Sequence, residues 1–360
     1  MLNRMLKAYR AVNYSFNRYV TPLITFCGFL IIYLVVSIGI LIDNIFYPSL
    51  RRMRIKSPIV VVGNPRSGTT FLQRFLVNNG YGTGMRVWKM IYPSPSLQIL
   101  IKPILPLLEK ISPARHHSRV IHETGLSAIE TEDPALLFRF FDGFFLYGFF
   151  LAWSKNDPKD MFDPKIRDTS ERDFRWLDTI WRRNLISEKN TRIVAKIFSL
   201  GMRLPQFLKK FPDAKILFLV RDPLETIPSS LSLVTGVLDA RFGFWNLPDN
   251  QRRQYVERLY SAFLDLHLRF HADYTEGRIS KQNVMIVPYS RMMADFENLM
   301  AEVNQFVEVA PTGDLTETIK KTAENQRSYK SKHVYNLEKF GLNQDRIIKD
   351  YKKIYESFLG

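Results

Sequence analysis

Gly63, four further residues, then Gly68-Thr69-Thr70 follow the spacing of a phosphate-binding loop, G-x-x-x-x-G-K-[ST], but a threonine replaces its lysine. Arg66 stands two residues before the second glycine. Such a loop offers an anion backbone N–H groups, hydroxyls and one guanidinium. It lacks the long ammonium that reaches the terminal phosphates of a nucleoside triphosphate. A second stretch, "ILFLVRDPLETIPSSLSL", ends an apolar run in Arg221 and places Ser229 eight residues on, about two helical turns. An arginine at a strand's carboxyl end and a serine on the next helix can hold one phosphate between them. Equally, Arg221 can pair with Asp222 or Glu225 and leave Ser229 as a helix-surface hydroxyl.

Both stretches need a frame. Ile59–Val62 is an apolar run of the kind found in a buried parallel strand. "SGTTFLQRFLVNNG" then spaces Phe71, Leu72, Phe75 and Leu76 as one helix face, with Gly80 as its stop. Strand, glycine loop and helix together point backbone N–H groups at an anion. "TRIVAKIF", "AKILFLVRDP" and "VMIVPY" read as three more strands, interleaved with the helix "LPQFLKKF" and a helix over about 251–270. Asp133-Pro134 is an N-cap and first-turn pair for a helix carrying Phe138, Phe141, Phe145 and Phe149. Residues 91–121 are proline-rich and partly basic, and 311–360 are polar and helical, broken by "YKSKHVYNLEKFGL". This alternation predicts an α/β fold, a P-loop-like parallel β-sheet flanked by helices.

The 360 residues suffice for one large α/β domain or two smaller ones, with no repeat and no low-complexity tract. A formal charge of +16 calls for anionic partners, but the cations are scattered and no nucleic-acid recognition motif accompanies them. The single cysteine, Cys27, excludes an intramolecular disulfide and shows no adaptation to an oxidising compartment. It lies in "LITFCGFLIIYLVVSIGILI", Leu23–Ile42, uncharged and about 30 Å long as a helix. The segment is too long for a signal-peptide core and is expected to be a transmembrane anchor. Arg4, Lys7, Arg10 and Arg18 precede it, while Arg51, Arg52, Arg54 and Lys56 follow, so charge bias does not orient it. The expected organisation is a basic tail over 1–22, the anchor over 23–42, a basic linker over 43–56 and a catalytic domain over 57–360.

Taken together, "PRSGTTFL" after a strand and "FPDAKILFLVRDPLETIPSSLSL" closely resemble the sulfotransferase superfamily, above all the broad group of sulfotransferase family proteins typical of bacteria. The resemblance covers about residues 57–345 and leaves the anchor outside. It implies the sulfotransferase fold, preceded here by one transmembrane helix. It also implies a reaction in which 3′-phosphoadenosine 5′-phosphosulfate (PAPS) gives its sulfuryl group to a hydroxyl or amine, leaving the bisphosphate PAP and using no metal. By this resemblance Arg66, Ser67, Gly68, Thr69 and Thr70 cradle the phosphosulfate. Arg221 and Ser229 take the 3′-phosphate, Tyr289 lies where relatives contact adenine, and Lys330, Lys332 and His333 fall in a closing C-terminal loop. Lys196 matches the family's lysine that stabilises the leaving oxygen, and Arg66 assists it.

The acceptor's base departs from known branches. Phe198 stands where cytosolic sulfotransferases carry a histidine, and "GMRVWKM" lacks the glutamate of the protein-tyrosine enzymes. The acidic cluster Glu123, Glu130, Glu132 and Asp133 is the alternative source. Glu130 or Glu132 is the expected base, with Asp133 as helix cap and His122 as fallback. Beside the cluster, Phe138–Trp153 holds seven Phe, one Tyr and one Trp. Such a run commonly builds core. Next to a membrane anchor it also suits a hydroxylated lipid acceptor, an isoprenoid, quinone or glycolipid.

Two other functions compete. A nucleotide kinase or NTPase would use Asp222 to hold magnesium, and the missing lysine at position 69 argues against it. A catalytically silent, membrane-bound nucleotide-binding scaffold would tolerate substitution of Glu130, Glu132 and Lys196. Because phosphosulfate donors are made in the cytosol, the domain is expected on the cytoplasmic face of a bacterial inner membrane. The alternative is a lumenal domain behind one span, the layout of Golgi sulfotransferases.

Overall fold

The computed structural model describes residues 1–111, 125–190, 192–328 and 336–360. The chain divides into two compact units, one of 1–55, 83–191 and 232–259, the other of 56–82, 192–231 and 260–360.

The second unit contains a four-stranded parallel sheet, β1 (Ile59–Val62), β2 (Val194–Lys196), β3 (Lys215–Val220) and β4 (Val284–Pro288), in the order β2-β1-β3-β4. Val60 pairs with Ala195 on one side and with Ile216 on the other, so β1 is central. All four residues of β1 are buried, as a parallel strand covered on both faces requires. The helix that follows it, α3 (Thr69–Asn78), buries Leu72, Phe75 and Leu76 in the core against Val194, Leu217 and Phe296. The expected strand "TRIVAKIF" is shorter than its sequence suggests. Ile197 donates its N–H to Val61, and Phe198–Met202 then tightens into a 3₁₀ turn. "LPQFLKKF" forms the helix Leu204–Lys210, and the helix expected over 251–270 runs Asp249–Thr275.

The first unit is helical. Residues expected as a basic tail form α1 (Leu2–Phe16), which buries Met5, Ala8, Ala11, Val12 and Phe16. The apolar segment forms α2 (Val20–Phe46), long and apolar enough to span a membrane. The single helix expected after Asp133 is instead two, Pro134–Phe140 and Phe144–Leu151, bent by 89°. Left-handed Phe141 (φ 50°) and Gly143 (φ 91°) make the break, and Asp142 sits within it. Phe141, Phe144, Tyr147 and Trp153 are core residues, and Phe145 and Phe149 are half-buried.

Candidate functional site

The loop between β1 and α3 turns on two glycines. Gly63 has φ 149°, and a Cβ there would stand 2.6 Å from the Leu219 carbonyl oxygen and 2.9 Å from Ser67 Oγ. Gly68 has φ 93° and caps α3, and a Cβ would strike the Met292 side chain and lie 3.1 Å from the Tyr289 ring. Between them Arg66 is itself left-handed, φ 71°, a conformation that costs an L-residue energy and recurs at functional sites. Ser67 is buried, its hydroxyl donating to the Asn64 carbonyl at 2.7 Å. The first N–H groups of α3, from Thr69 onward, lack carbonyl partners within the helix and are aimed at the loop.

Three cations converge on this loop from the sheet-bearing unit. Arg66 Nε donates to Ser229 Oγ at 2.9 Å. Arg221, leaving the end of β3, donates Nη1 to the Arg66 carbonyl at 3.1 Å and lies 4.0 Å over the Tyr289 ring. Its Nε and Nη2 clamp Glu225 Oε2, the Nε contact at 2.8 Å. Both alternatives for Arg221 are thus present in part. It pairs with Glu225, yet Ser229 is buried beside Arg66 rather than exposed on the helix. Lys196, at the end of β2 and 5 % exposed, donates Nζ to Thr70 Oγ1 at 2.8 Å. A cation from the neighbouring strand therefore meets the loop hydroxyl that in a kinase loop holds magnesium.

Asp222 is engaged elsewhere. Its Oδ1 accepts from the Leu224 N–H at 2.9 Å and from the Tyr355 hydroxyl at 2.5 Å, the pattern of a helix cap ahead of Pro223. That places a structural load on the carboxylate that a kinase reading would give to a metal.

Two residues escaped the sequence reading. Asn64 donates Nδ2 to the Phe263 carbonyl at 3.0 Å and meets His267 Nδ1 at 2.9 Å. Since the carbonyl only accepts, the Asn64 atom is the amide nitrogen. His267 Nδ1 is then an acceptor, and the ring proton is on Nε2. Asn64 could have been noticed as part of the loop, but nothing local marks a histidine 203 residues away. His267 is buried, and desolvation pushes its pKa down to about 3. Below about pH 6.5 the unfolded chain binds a proton that the native ring refuses. Stability therefore falls from there toward pH 3 by up to about 1.4 kcal/mol per unit. Urea unfolding at pH 7 and pH 5 should show His267→Gln losing less stability between the two than the parent, by about 2 kcal/mol. Equal losses would mean that the ring does not stay neutral.

The acidic cluster belongs to the helical unit. Glu130, Glu132 and Asp133 are buried, at 7 %, 1 % and 3 % exposure. The Glu130 N–H donates to the Met85 carbonyl at 3.3 Å, and Arg86 bridges Ile129. Asp133 precedes the helix at the N-cap position, but its side chain makes no capping bond and instead accepts from the Thr131 hydroxyl. Glu123, His122, Lys330, Lys332 and His333 lie outside the described residues.

Comparison with known proteins bears on the fold and the family. Sulfotransferase STF1 from Mycobacterium tuberculosis is similar in structure, with a TM-score of 0.71 at 18% identity over 97% of this chain and 90% of that one. Sulfotransferase STF9 from Mycobacterium avium gives a TM-score of 0.68 at 15% identity over 89% and 81%. At such identities the likeness speaks for the fold. No curated protein sequence matches the chain. The sequence profile described as "Sulfotransferase family" matches residues 58–313, from the residue before β1 to beyond β4, and by that match the chain belongs to the sulfotransferase family.

Proposed function

We propose that this sulfotransferase takes the sulfuryl group from PAPS and gives it to a hydroxylated acceptor. The observation that carries the reading is the buried Lys196 ammonium on Thr70 Oγ1, in a loop whose own lysine is missing. When bound, the phosphosulfate supplies an activated sulfuryl group whose leaving oxygen gains negative charge. Lys196 is the cation held ready for that charge, in a site where water does not screen it. Arg66 and the first N–H groups of α3 bind and orient the 5′ end. Arg221, turning from Glu225, and Ser229 bind the 3′-phosphate, with Tyr289 beside the adenine. The residues fit the group: Gly63 and Gly68 let the loop pack against Leu219, Met292 and Tyr289 where a Cβ would clash, and the loop so held carries Arg66 beside Ser229 and Thr70 beside Lys196. Lys332 is proposed as a further ligand of the 3′-phosphate.

Calorimetry of the full chain tests the donor. PAP should bind without magnesium, and ATP with magnesium should not displace it. Binding of ATP with magnesium alone would replace this reading with a kinase.

For the acceptor hydroxyl we propose Glu130 or Glu132 as the base, with Asp133 holding Thr131. Glu130→Gln and Glu132→Gln, made separately, should leave PAP affinity unchanged, while one of them lowers turnover by about 10²–10⁴-fold. Full activity in both would remove the carboxylates from the mechanism and leave His122. The apolar α2 and the half-buried Phe145 and Phe149 favour a lipidic acceptor such as an isoprenoid, quinone or glycolipid at a membrane, on the cytoplasmic side where the donor is made. Labelled donor offered to a lipid extract and to soluble sugars separates the classes, and transfer to sugars alone would overturn the lipid proposal.

A further inference from the structure

α2 has two unlike stripes. Inward positions share one side of the helix, mostly at intervals of three or four, and each is docked within the helical unit. The Phe26 ring lies 5.4 Å from Phe141, and Phe29 lies 5.3 Å from the same ring. The Arg139 guanidinium lies 4.5 Å over Tyr33 and donates to Ser37 Oγ at 2.9 Å. Gly39 faces the Leu97 side chain so closely that a Cβ would sit 2.6 Å from it. Asp43, fully buried, accepts from Ser94 Oγ at 2.8 Å, Ser96 N at 3.1 Å and Arg183 Nε at 3.0 Å. On the opposite stripe Ile24, Ile31, Leu34, Ile38, Leu41 and Ile45 are each more than half exposed. A surface helix in water carries polar residues on that side.

The chain before α2 is held by the same unit. Arg4 donates Nε to the Phe141 carbonyl at 2.8 Å and Nη2 to the Phe140 carbonyl at 3.0 Å, and Phe16 packs 4.4 Å from Trp153. A crossing helix would have to put α1 and Asp43 on opposite sides of the bilayer. It would also carry Arg139, docked on Tyr33 midway along, to the depth where an arginine is most costly. We infer that α2 lies in the plane of the membrane, its outer stripe pressed into the headgroup–acyl boundary of an anionic leaflet.

Charge selects the occupant. Arg18 is exposed before one end of α2, and Arg51, Arg52 and Arg54 after the other. The first 108 residues contain one carboxylate, the buried Asp43. A second copy laid against this stripe, parallel or antiparallel, would set cations against cations. Acidic headgroups would neutralise both ends. The inference rests on the membrane association proposed above and not on the sulfuryl chemistry.

The test uses the full chain, whose sole cysteine, Cys27, is exposed on α2. An environment-sensitive fluorophore is attached there, and at Ile24→Cys, Leu34→Cys and Leu41→Cys on a Cys27→Ser background. Vesicles of phosphatidylcholine, with or without phosphatidylglycerol, carry quenchers at shallow or deep acyl positions. Anionic vesicles should shift all four labels to the blue, salt should weaken the shift, and the shallow quencher should act on all four alike. Deep quenching strongest at Leu34→Cys and weak at Ile24→Cys and Leu41→Cys would overturn the in-plane seat in favour of a crossing helix. No response to any vesicle, with a dimer in sedimentation, would assign the stripe to a second copy and remove the membrane association as well.

Discussion

Lys196→Met is expected to cut turnover with PAPS by about 10²–10³-fold, the usual cost of losing one preorganised donor to a developing anion. Methionine keeps an unbranched stem for the buried channel that the lysine occupies, at 5 % exposure, so the change removes charge more than packing. The loss should fall on kcat. PAP has no bridging oxygen to stabilise, so its affinity in calorimetry should change by less than about tenfold, roughly 1.4 kcal/mol. An equal loss in PAP affinity and in kcat would make Lys196 a binding residue, and no loss in either would make it a solvated strand end.

Arg221→Ala is expected to weaken PAP by about 10²-fold or more, since hydrogen bonds to a charged phosphate are each worth about 1.5–3 kcal/mol. Arg221→Lys should recover little of this. The guanidinium does three things at once that an ammonium does not: it sits over the Tyr289 ring, spans Glu225 through two nitrogens and still reaches the Arg66 carbonyl. Glu225 holds the fork oriented, and the proposed 3′-phosphate would compete for it. Rescue by lysine to within about threefold would reduce the role to a point charge.

The glycine loop was legible because its parts are contiguous. An apolar run, two glycines and an N-terminal helical turn are local signals, and Ile59–Val62 and Gly68 are where the sequence puts them. Arg221 was legible in type but not in partner, since phosphate and Glu225 answer the same fork. Lys196 carries no local mark beyond ending a strand; its contact with Thr70 spans 126 residues and exists only once β1 and β2 pair. His267 was invisible for the same reason. The first sixteen residues misled through their cations, although Met5, Ala8, Val12 and Phe16 already sit at helical spacing. The aromatic run misled through its periodicity, because a backbone break at Phe141 and Gly143 overrides a helical pattern that continues across it.

The strand order has a consequence for how the protein comes into being. β1 is made early, yet its two neighbours, β2 and β3, are encoded about 130 and 150 residues later. At a synthesis rate of about 5–20 residues per second, Ile59–Val62 waits roughly seven to thirty seconds for its first partner. Through that interval four consecutive apolar residues and the apolar face of α3 have no sheet to join. Closing so long a loop is slow, and no shorter-range pairing is available to β1 in the native order. The glycine loop, which hangs from the end of this strand, is therefore among the last features of the sheet-bearing unit to become organised, and a nascent chain is exposed to aggregation or chaperone capture in the interval.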